Sequence, residues 1–349
     1  MIEVRTCESE TSEVAAFTTR VWRETFRGRR LAINWDTAYF DWQLFNGVCG
    51  RDYLLAAYDG TRLVGTLFAE PFRLSVRGVE RDATMSSWLT VEPEYRRNDV
   101  ASMLVAEMRR RHRERNAAFQ IGFGVLGTMG PQFWRTMPDA FILRKLGFWC
   151  LMSDVNALRE SLYLPALGRS AMRLLRVVER ASPRAPKGEG IRTYAPTDLP
   201  RCLELANALG EGMDMAYRWE GARLGLQLQH KGQPRTLVYK EGGRVEGFIN
   251  YYVVECVGRS TVRTAIIDIF ACGAAMSSRE RTRLLQAGVA GMAEEGCVMA
   301  LLLRIPCYPA ATLLKSGFIP LPQEFSVICG WPEPGLPLEG VKRLYLHLR

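Results

Sequence analysis

The chain has 349 residues, 48% of them hydrophobic and 24% charged, and a formal charge of +9. That length exceeds one ordinary compact domain and accommodates two, and the balance excludes disordered and fibrous classes. No apolar run approaches the roughly 20 residues that span a bilayer, and Met1-Ile2-Glu3-Val4-Arg5-Thr6-Cys7-Glu8 contains no apolar signal core. A soluble, cytoplasmic protein is expected.

Nine cysteines occur without a Cys-x-x-Cys pair, in apolar settings such as Phe148-Trp149-Cys150. They read as buried, reduced thiols. With only His112, His230 and His347 as histidines, no metal site is expected. The positive excess concentrates in Arg109-Arg110-Arg111-His112-Arg113-Glu114-Arg115 and between Arg169 and Arg192. Aromatic residues are not interleaved with the first cluster, so base stacking is not indicated. It reads as a solvated helix face near a phosphate-bearing ligand rather than a nucleic-acid surface.

In chain order, Tyr39-Phe40-Asp41-Trp42-Gln43-Leu44-Phe45 has the spacing of a buried helical stripe. Tyr53 to Tyr58, a turn at Asp59-Gly60-Thr61, and Arg62 to Ala69 form a β-hairpin. A strand is expected at 81–91. An amphipathic helix at 100–115 follows, with Val100, Met103, Leu104 and Met108 on one face, and then a strand at 118–125. Gly127-Thr128-Met129-Gly130-Pro131-Gln132-Phe133-Trp134-Arg135-Thr136-Met137-Pro138 is longer than a bare connection requires; it forms either a lid or wall for an acyl chain or acceptor, or a seam filler between domains through Phe133 and Trp134. The half closes with a short helix ending in Leu143-Arg144-Lys145-Leu146-Gly147-Phe148, glycine supplying the C-cap.

The same pattern recurs. Arg235 to Lys240, Glu241-Gly242-Gly243 and Arg244 to Asn250 make a second hairpin. A strand at 263–272, a helix at 278–295, a strand at 298–304 and Leu313-Leu314-Lys315-Ser316-Gly317-Phe318 follow. Two copies of one strand-rich unit imply an internal duplication. Between them, 162–181 reads as a basic helix, and Ser182-Pro183-Arg184-Ala185-Pro186-Lys187-Gly188 as a linker.

The densest signal is Trp88-Leu89-Thr90-Val91-Glu92-Pro93-Glu94-Tyr95-Arg96-Arg97-Asn98-Asp99-Val100-Ala101-Ser102. A strand runs into a basic turn and directly into a helix, which presents free amides and a dipole end suited to a pyrophosphate. This phrase, and the twice-written Lys-x-Gly-Phe close, resemble the GNAT (Gcn5-related N-acetyltransferase) superfamily. Arg96 and Ala101 fall on the ends of its Arg/Gln-x-x-Gly-x-Gly/Ala signature, while Asp99 stands where the family has glycine.

The resemblance implies an α/β protein of two tandem GNAT-like domains, each a mixed, mostly antiparallel sheet flanked by helices. The first domain is expected at 1–160, the basic helix and linker at 161–190, and a degenerate copy at 191–349. The resemblance further implies that acetyl-CoA or another acyl-CoA is a co-substrate of the first copy. Leu89, Thr90 and Val91 would pair with the pantetheine arm. Arg96, Arg97, Asn98, Asp99, Val100, Ala101 and Ser102 would surround the phosphates. The Asp99 carboxylate would be neutralised by Arg96 or Arg97, face solvent, or cap the helix. The implied reaction transfers an acyl group to an amine of a small molecule or peptide, and the Tyr39–Phe45 phrase would line the acceptor site.

Two departures stand against that chemistry. The central strand Thr84-Met85-Ser86-Ser87-Trp88-Leu89 has no carboxylate, and Leu143 and Leu313 occupy the positions of the family's tyrosine acid. A catalytically inactive protein binding CoA or another ligand as sensor or scaffold is the alternative. In the second copy Ala274-Ala275-Met276-Ser277-Ser278-Arg279 replaces the signature, and Asp268 lies mid-strand, the one candidate for a catalytic carboxylate. No residue pattern decides between monomer and homodimer.

Overall fold

The computed structural model describes residues 1–48, 50–165 and 190–347. The first half runs β1 (Ile2–Thr6), α1 (Thr11–Phe26), β2 (Ala32–Asn34), α2 (Thr37–Gln43), β3 (Leu54–Asp59), β4 (Arg62–Val76), β5 (Val79–Val91), α3 (Val100–Glu114), β6 (Phe119–Val125), α4 (Met129–Thr136) and β7 (Ala140–Met152). A short helix, α5 (Val155–Ser161), follows. The second half repeats the order: β8 (Ile191–Thr193), α6 (Leu199–Ala208), β9 (Met215–Arg218), α7 (Gly221–Leu228), β10 (Pro234–Glu241), β11 (Arg244–Val257), β12 (Thr261–Cys272), α8 (Ser278–Glu294), β13 (Cys297–Leu303), α9 (Ala310–Lys315) and β14 (Ile319–Gly330). A terminal strand, β15 (Leu344–Tyr345), is added. The internal duplication is thus complete, element for element. Most of the expected basic helix and linker lies outside the described residues.

The two copies share one sheet, in the order β1, β3, β4, β5, β6, β14, β7, β13, β12, β11, β10, β8. The copies exchange their closing strands. β14 lies antiparallel between β6 and β7, and β7 pairs with β13 as well. A second exchange is reciprocal too, since β2 pairs with β11 and β9 pairs with β4. The sheet is otherwise mixed as expected, with parallel pairs at β5–β6 and β12–β13.

Two glycines explain why each copy writes a hairpin followed at once by a second glycine. A Cβ on Gly65 would lie 2.9 Å from Val100 Cγ1 and 3.2 Å from Leu104 Cδ1. A Cβ on Gly247 would lie 2.6 Å from Met276 Sδ and 3.2 Å from Leu284 Cδ2. Glycine therefore lets α3 and α8 settle directly on their strands.

One expectation is corrected. Leu143 to Phe148 is not the end of a helix but the middle of β7. The helix comes earlier, as α4, inside the stretch read as a long connection. β7 is a central strand with neighbours on both sides, and pairing overrides the local pattern. Gly147 serves close approach instead, since a Cβ there would meet Pro322 O. The second copy behaves as expected, with Gly317 at φ +93° after α9. Trp134 fills the first copy's core, its ring 6.0 Å from Trp331.

Between the copies lies an aromatic layer. Tyr39, Phe40 and Trp42 of α2 pack with Trp35, Trp88 and Tyr252, and Trp42 Nε1 donates to Leu226 O at 2.8 Å. Each such side chain contributes about 1.5–3 kcal/mol on burial, so the layer joins the copies strongly.

The exchange of closing strands predicts that neither half folds alone. Residues 1–160 expressed separately should lack a cooperative thermal transition, because β6 loses β14 and β7 loses both neighbours. Co-expression with 190–349 should restore it; circular dichroism melts check both outcomes.

Candidate active site

The geometry at the end of β5 is set by one distorted residue. Trp88 has φ +53°, a left-handed conformation uncommon for a bulky side chain and one that marks functional sites when the surroundings enforce it. It lies where the β4–β5 register shifts, between the pairs Thr66↔Thr90 and Phe68↔Ser87. The bulge is held by two hydroxyls, since Thr66 Oγ1 and Thr90 Oγ1 donate to the Trp88 carbonyl at 2.9 and 3.2 Å. Trp22 Nε1 in turn donates to Thr90 Oγ1 at 2.9 Å.

Past the bulge, β5 and β6 separate. Their parallel pairing ends at Ser86↔Gly122. Thr90 and Val91 pair with Thr66 and Gly65 on the β4 side. Among the described residues no strand pairs with them on the other. That edge is a free backbone ladder.

The chain then passes through one 3₁₀ turn at Pro93–Tyr95 into α3. Glu92, 6% exposed, is clamped by Arg20 at 2.8 and 2.6 Å, and that pair holds its carboxyl below the usual range. Arg96 Nε donates to Val91 O at 3.2 Å and its Nη2 to Thr25 Oγ1 at 2.7 Å. Arg97, Asn98 and Asp99 are exposed, and Val100 is buried. Asp99 adopts φ +54°, ψ +15°, the left-handed conformation for which glycine is the usual choice and which aspartate tolerates. The substitution thus keeps the backbone path that a glycine would take. Its side chain forms no capping bond, so the α3 amino terminus is left to other partners.

The second copy also has a bulge in the corresponding strand, at Asp268, between Asn250↔Ile269 and Tyr251↔Ile267, but two steps further along and without a left-handed residue. Its parallel pairing also stops, at Ile267↔Leu302. The helix that follows is different. Ser277 Oγ accepts from Glu280 N at 3.3 Å, and Glu280 accepts from Ser277 N at 2.7 Å, a reciprocal capping box. The α8 amino terminus supplies its own anion and hydroxyl, so it is closed.

Asp268 does not stand alone. Its side chain is 4% exposed and accepts from Gln227 Nε2. His347 Nδ1 lies 3.8 Å from its other oxygen. Arg223, 7% exposed at its side chain, pairs with Glu70 of β4 and donates to Gln43 Oε1 at 2.9 Å. Burial drives the Asp268 carboxyl well above the usual range, with Arg223 opposing, and drives His347 down to about 3. Burial thus disfavours the charged form of both Asp268 and His347, while Glu70 and Arg223 face each other as an ion pair. Tyr39 and Tyr252, hydrogen-bonded to each other, are held above the usual phenol range chiefly by their burial. The Tyr39 ring is 6.1 Å from Trp88. Glu70, Arg223 and His347 escaped the sequence reading, although Leu67-Phe68-Ala69-Glu70-Pro71-Phe72 carries the same mark as Asp268, an acid inside an apolar strand.

Residues 5–133 match the model of the acetyltransferase (GNAT) domain. Comparison with curated proteins yields no match. Saccharomyces cerevisiae N-myristoyltransferase with bound myristoyl-CoA superposes with a TM-score of 0.77 at 13% identity, over 95% of this chain and 84% of that one. A probable N-acyltransferase of Enterococcus faecalis gives 0.54 at 11% identity, over 94% and 72%. A GCN5-related N-acetyltransferase of Kribbella flavida gives 0.53 at 17% identity, over 94% and 71%. The fold is the one these structures share, a GNAT-like unit written in tandem, and within it residues 5–133 resemble the acetyltransferase (GNAT) domain.

A pH dependence follows from the helix that leads out of this site. His112 of α3 is 2% exposed, bonds Thr84 Oγ1 at 2.6 Å, and is held down to about 4 by burial. The unfolded chain takes up its proton below about pH 6.5 and the folded chain does not. Stability therefore falls as pH drops from 6.5 to 4 and levels off below, by about 3 kcal/mol for this residue. Denaturant titrations across that range should show a shallower acid limb in His112→Gln than in the native protein.

Proposed function

We propose that the protein is an acyl-CoA-dependent N-acyltransferase acting in the cytoplasm, with the co-substrate on the first copy alone. The contrast between the two helix starts carries the reading: α3 is uncapped by any side chain, whereas α8 is closed by Ser277 and Glu280. Leu89, Thr90 and Val91 offer the strand edge to the pantetheine amides. Arg97, Asn98 and the amides of Val100, Ala101 and Ser102 surround the phosphates, with Arg96 as fixed charge. Asp99 contributes its backbone shape.

Acyl transfer requires that the amine lose a proton and the thiolate gain one. The strand β5 supplies no carboxylate from Thr84 to Leu89. We assign this proton handling to the buried cluster between the copies, with the Asp268 carboxyl, whose charged form burial disfavours, and His347 beside it, while oriented binding supplies much of the acceleration. The acceptor is an amine of a small molecule or peptide. Fold likeness to proteins that bind or transfer acyl groups of different lengths supports the acyl-CoA class without choosing an acetyl or a longer chain.

Calorimetric titration with acetyl-CoA and longer acyl-CoAs tests the first claim. Micromolar binding is expected, weakened at least about tenfold in Arg96→Ala, which loses a charge-assisted contact. Absence of binding to every acyl-CoA ends the reading. Asp268→Asn should lower kcat with acyl-CoA affinity unchanged; a variant as active as the native protein removes Asp268 from the mechanism.

A further inference from the structure

The duplication places two cavities at equivalent positions. After β2 the chain reads Trp35-Asp36, and after β9 it reads Trp219-Glu220. Trp219 lines a cavity of about 370 Å³ with Arg73 and Arg218, and Trp35 lines one of about 230 Å³ with Asn34, Asp36, Tyr39, Val253, Val254 and Glu255. The register confirms the correspondence, since Arg218 opposes Arg73 as Asn34 opposes Glu255.

The two positions differ in how the tryptophan is served. Beside β9 the chain supplies its own strand: β15 pairs parallel with it, Leu344↔Met215 and Tyr345↔Ala216. Tyr345 Oη accepts from Trp219 Nε1 at 3.0 Å. Beside β2, among the described residues, no such strand is present. Trp35 is 7% exposed, and its indole N–H has no partner. A buried donor without an acceptor is costly and calls for a partner.

The sheet is also interrupted there. β10 stops at Pro234↔Tyr252 and β2 at Asn34↔Glu255. Val253 and Val254 thus have β12 on one side and, among the described residues, no strand on the other. Charge completes the picture. Arg235 pairs with Glu295 at 3.2 Å, and Arg263 donates to the Glu295 carbonyl. Among the described residues Asp36 and Glu255 have no cationic partner; Asp36 accepts from Tyr39 N at 2.7 Å and Glu255 from Asn34 Nδ2 at 3.2 Å. The Trp219 cavity sets Arg73 and Arg218 beside Glu80 and Glu220. The Trp35 cavity sets Asp36, Glu255 and Glu295 against Arg235 and Arg263, the latter opposite Glu255 in the β11–β12 register, which leaves one carboxylate in excess.

We propose that the Trp35 cavity is the subsite for a peptidic acceptor, a short extended segment carrying a basic side chain. Its backbone meets the free edge at Val253 and Val254, one carbonyl takes the Trp35 N–H as Tyr345 takes that of Trp219, and the cation lies against Asp36 and Glu255. The Trp35 and Tyr39 rings, 5.8 and 6.1 Å from Trp88, are one layer of side chains from the bulge. A segment held here therefore points its chain toward the strand edge where the thioester is placed. The subsite rests on the N-acyltransferase reading for its purpose, not for its binding.

The test is an NMR titration of the full chain with an alanine pentapeptide bearing one lysine, and with its glutamate counterpart. The reporter is the Trp35 indole N–H resonance, assigned through Trp35→Phe. The lysine peptide should shift that resonance downfield and the glutamate peptide should not. Asp36→Asn with Glu255→Gln should weaken the lysine peptide about tenfold or more, with CoA affinity unchanged. An unmoved Trp35 resonance, or equal affinity in the double variant, overturns the subsite. Failure of CoA to bind would instead overturn the acyltransferase reading, and the peptide titration on the unliganded protein would still decide the subsite.

Discussion

The exchange of closing strands is the constraint on which the rest of the molecule depends. β14 enters the sheet of the first copy and β7 reaches that of the second, so the two units are halves of one sheet rather than beads on a string. Each copy's parallel pair, β5–β6 and β12–β13, is therefore backed by a strand from the other. The reciprocal placement of β2 on β11 and β9 on β4 ties the outer regions in the same way. Rotation of one copy against the other would break main-chain ladders as well as the aromatic layer. The relative position of the strand edge at Trp88 and the buried cluster at Asp268 is thus held by backbone hydrogen bonds.

Duplication gave the chain two bulges, two diverging strand pairs and two helix starts, and then a few side chains made them unlike. Asp99 takes the left-handed turn without capping α3, whereas Ser277 and Glu280 satisfy α8 from within. Two helix starts of the same geometry differ in whether an incoming anion finds free amides. The same divergence appears between the copies' tryptophans, where Tyr345 serves Trp219 and nothing described serves Trp35. Between the copies, Glu70 comes from the first and Arg223, Asp268 and His347 from the second, in a cluster whose burial raises the Asp268 carboxyl and lowers His347. Keeping such groups out of water is expensive. Sites where reactions move protons are where proteins retain them.

Much of this was legible from residue order. The hairpins, the strand at 81–91, the helix from Val100, and the repetition of all of them follow from periodicity and turn glycines. The basic turn from Arg96 to Ala101 stood out because a strand running through two arginines straight into a helix resembles the GNAT signature, and the left-handed Asp99 keeps the backbone path of its glycine. The β7 segment was misread because Leu-Gly-Phe after a lysine looks the same in a helix end and in a central strand; only the distant β13 and β14 decide. Glu70, Arg223 and His347 were invisible as a group, lying 153 and 124 residues apart in sequence and meeting only through the strand exchange. The conformation of Trp88 was equally hidden, since a bulge is fixed by the partner strand's register.

The central claim is that one copy holds the acyl-CoA and the other does not. Hydrogen–deuterium exchange of the full chain, with and without acetyl-CoA, tests it most directly. The account predicts new protection confined to residues 89–104 at the end of β5 and the start of α3, with 268–284 unchanged. Protection at the start of α8, or equal protection in both copies, would contradict it.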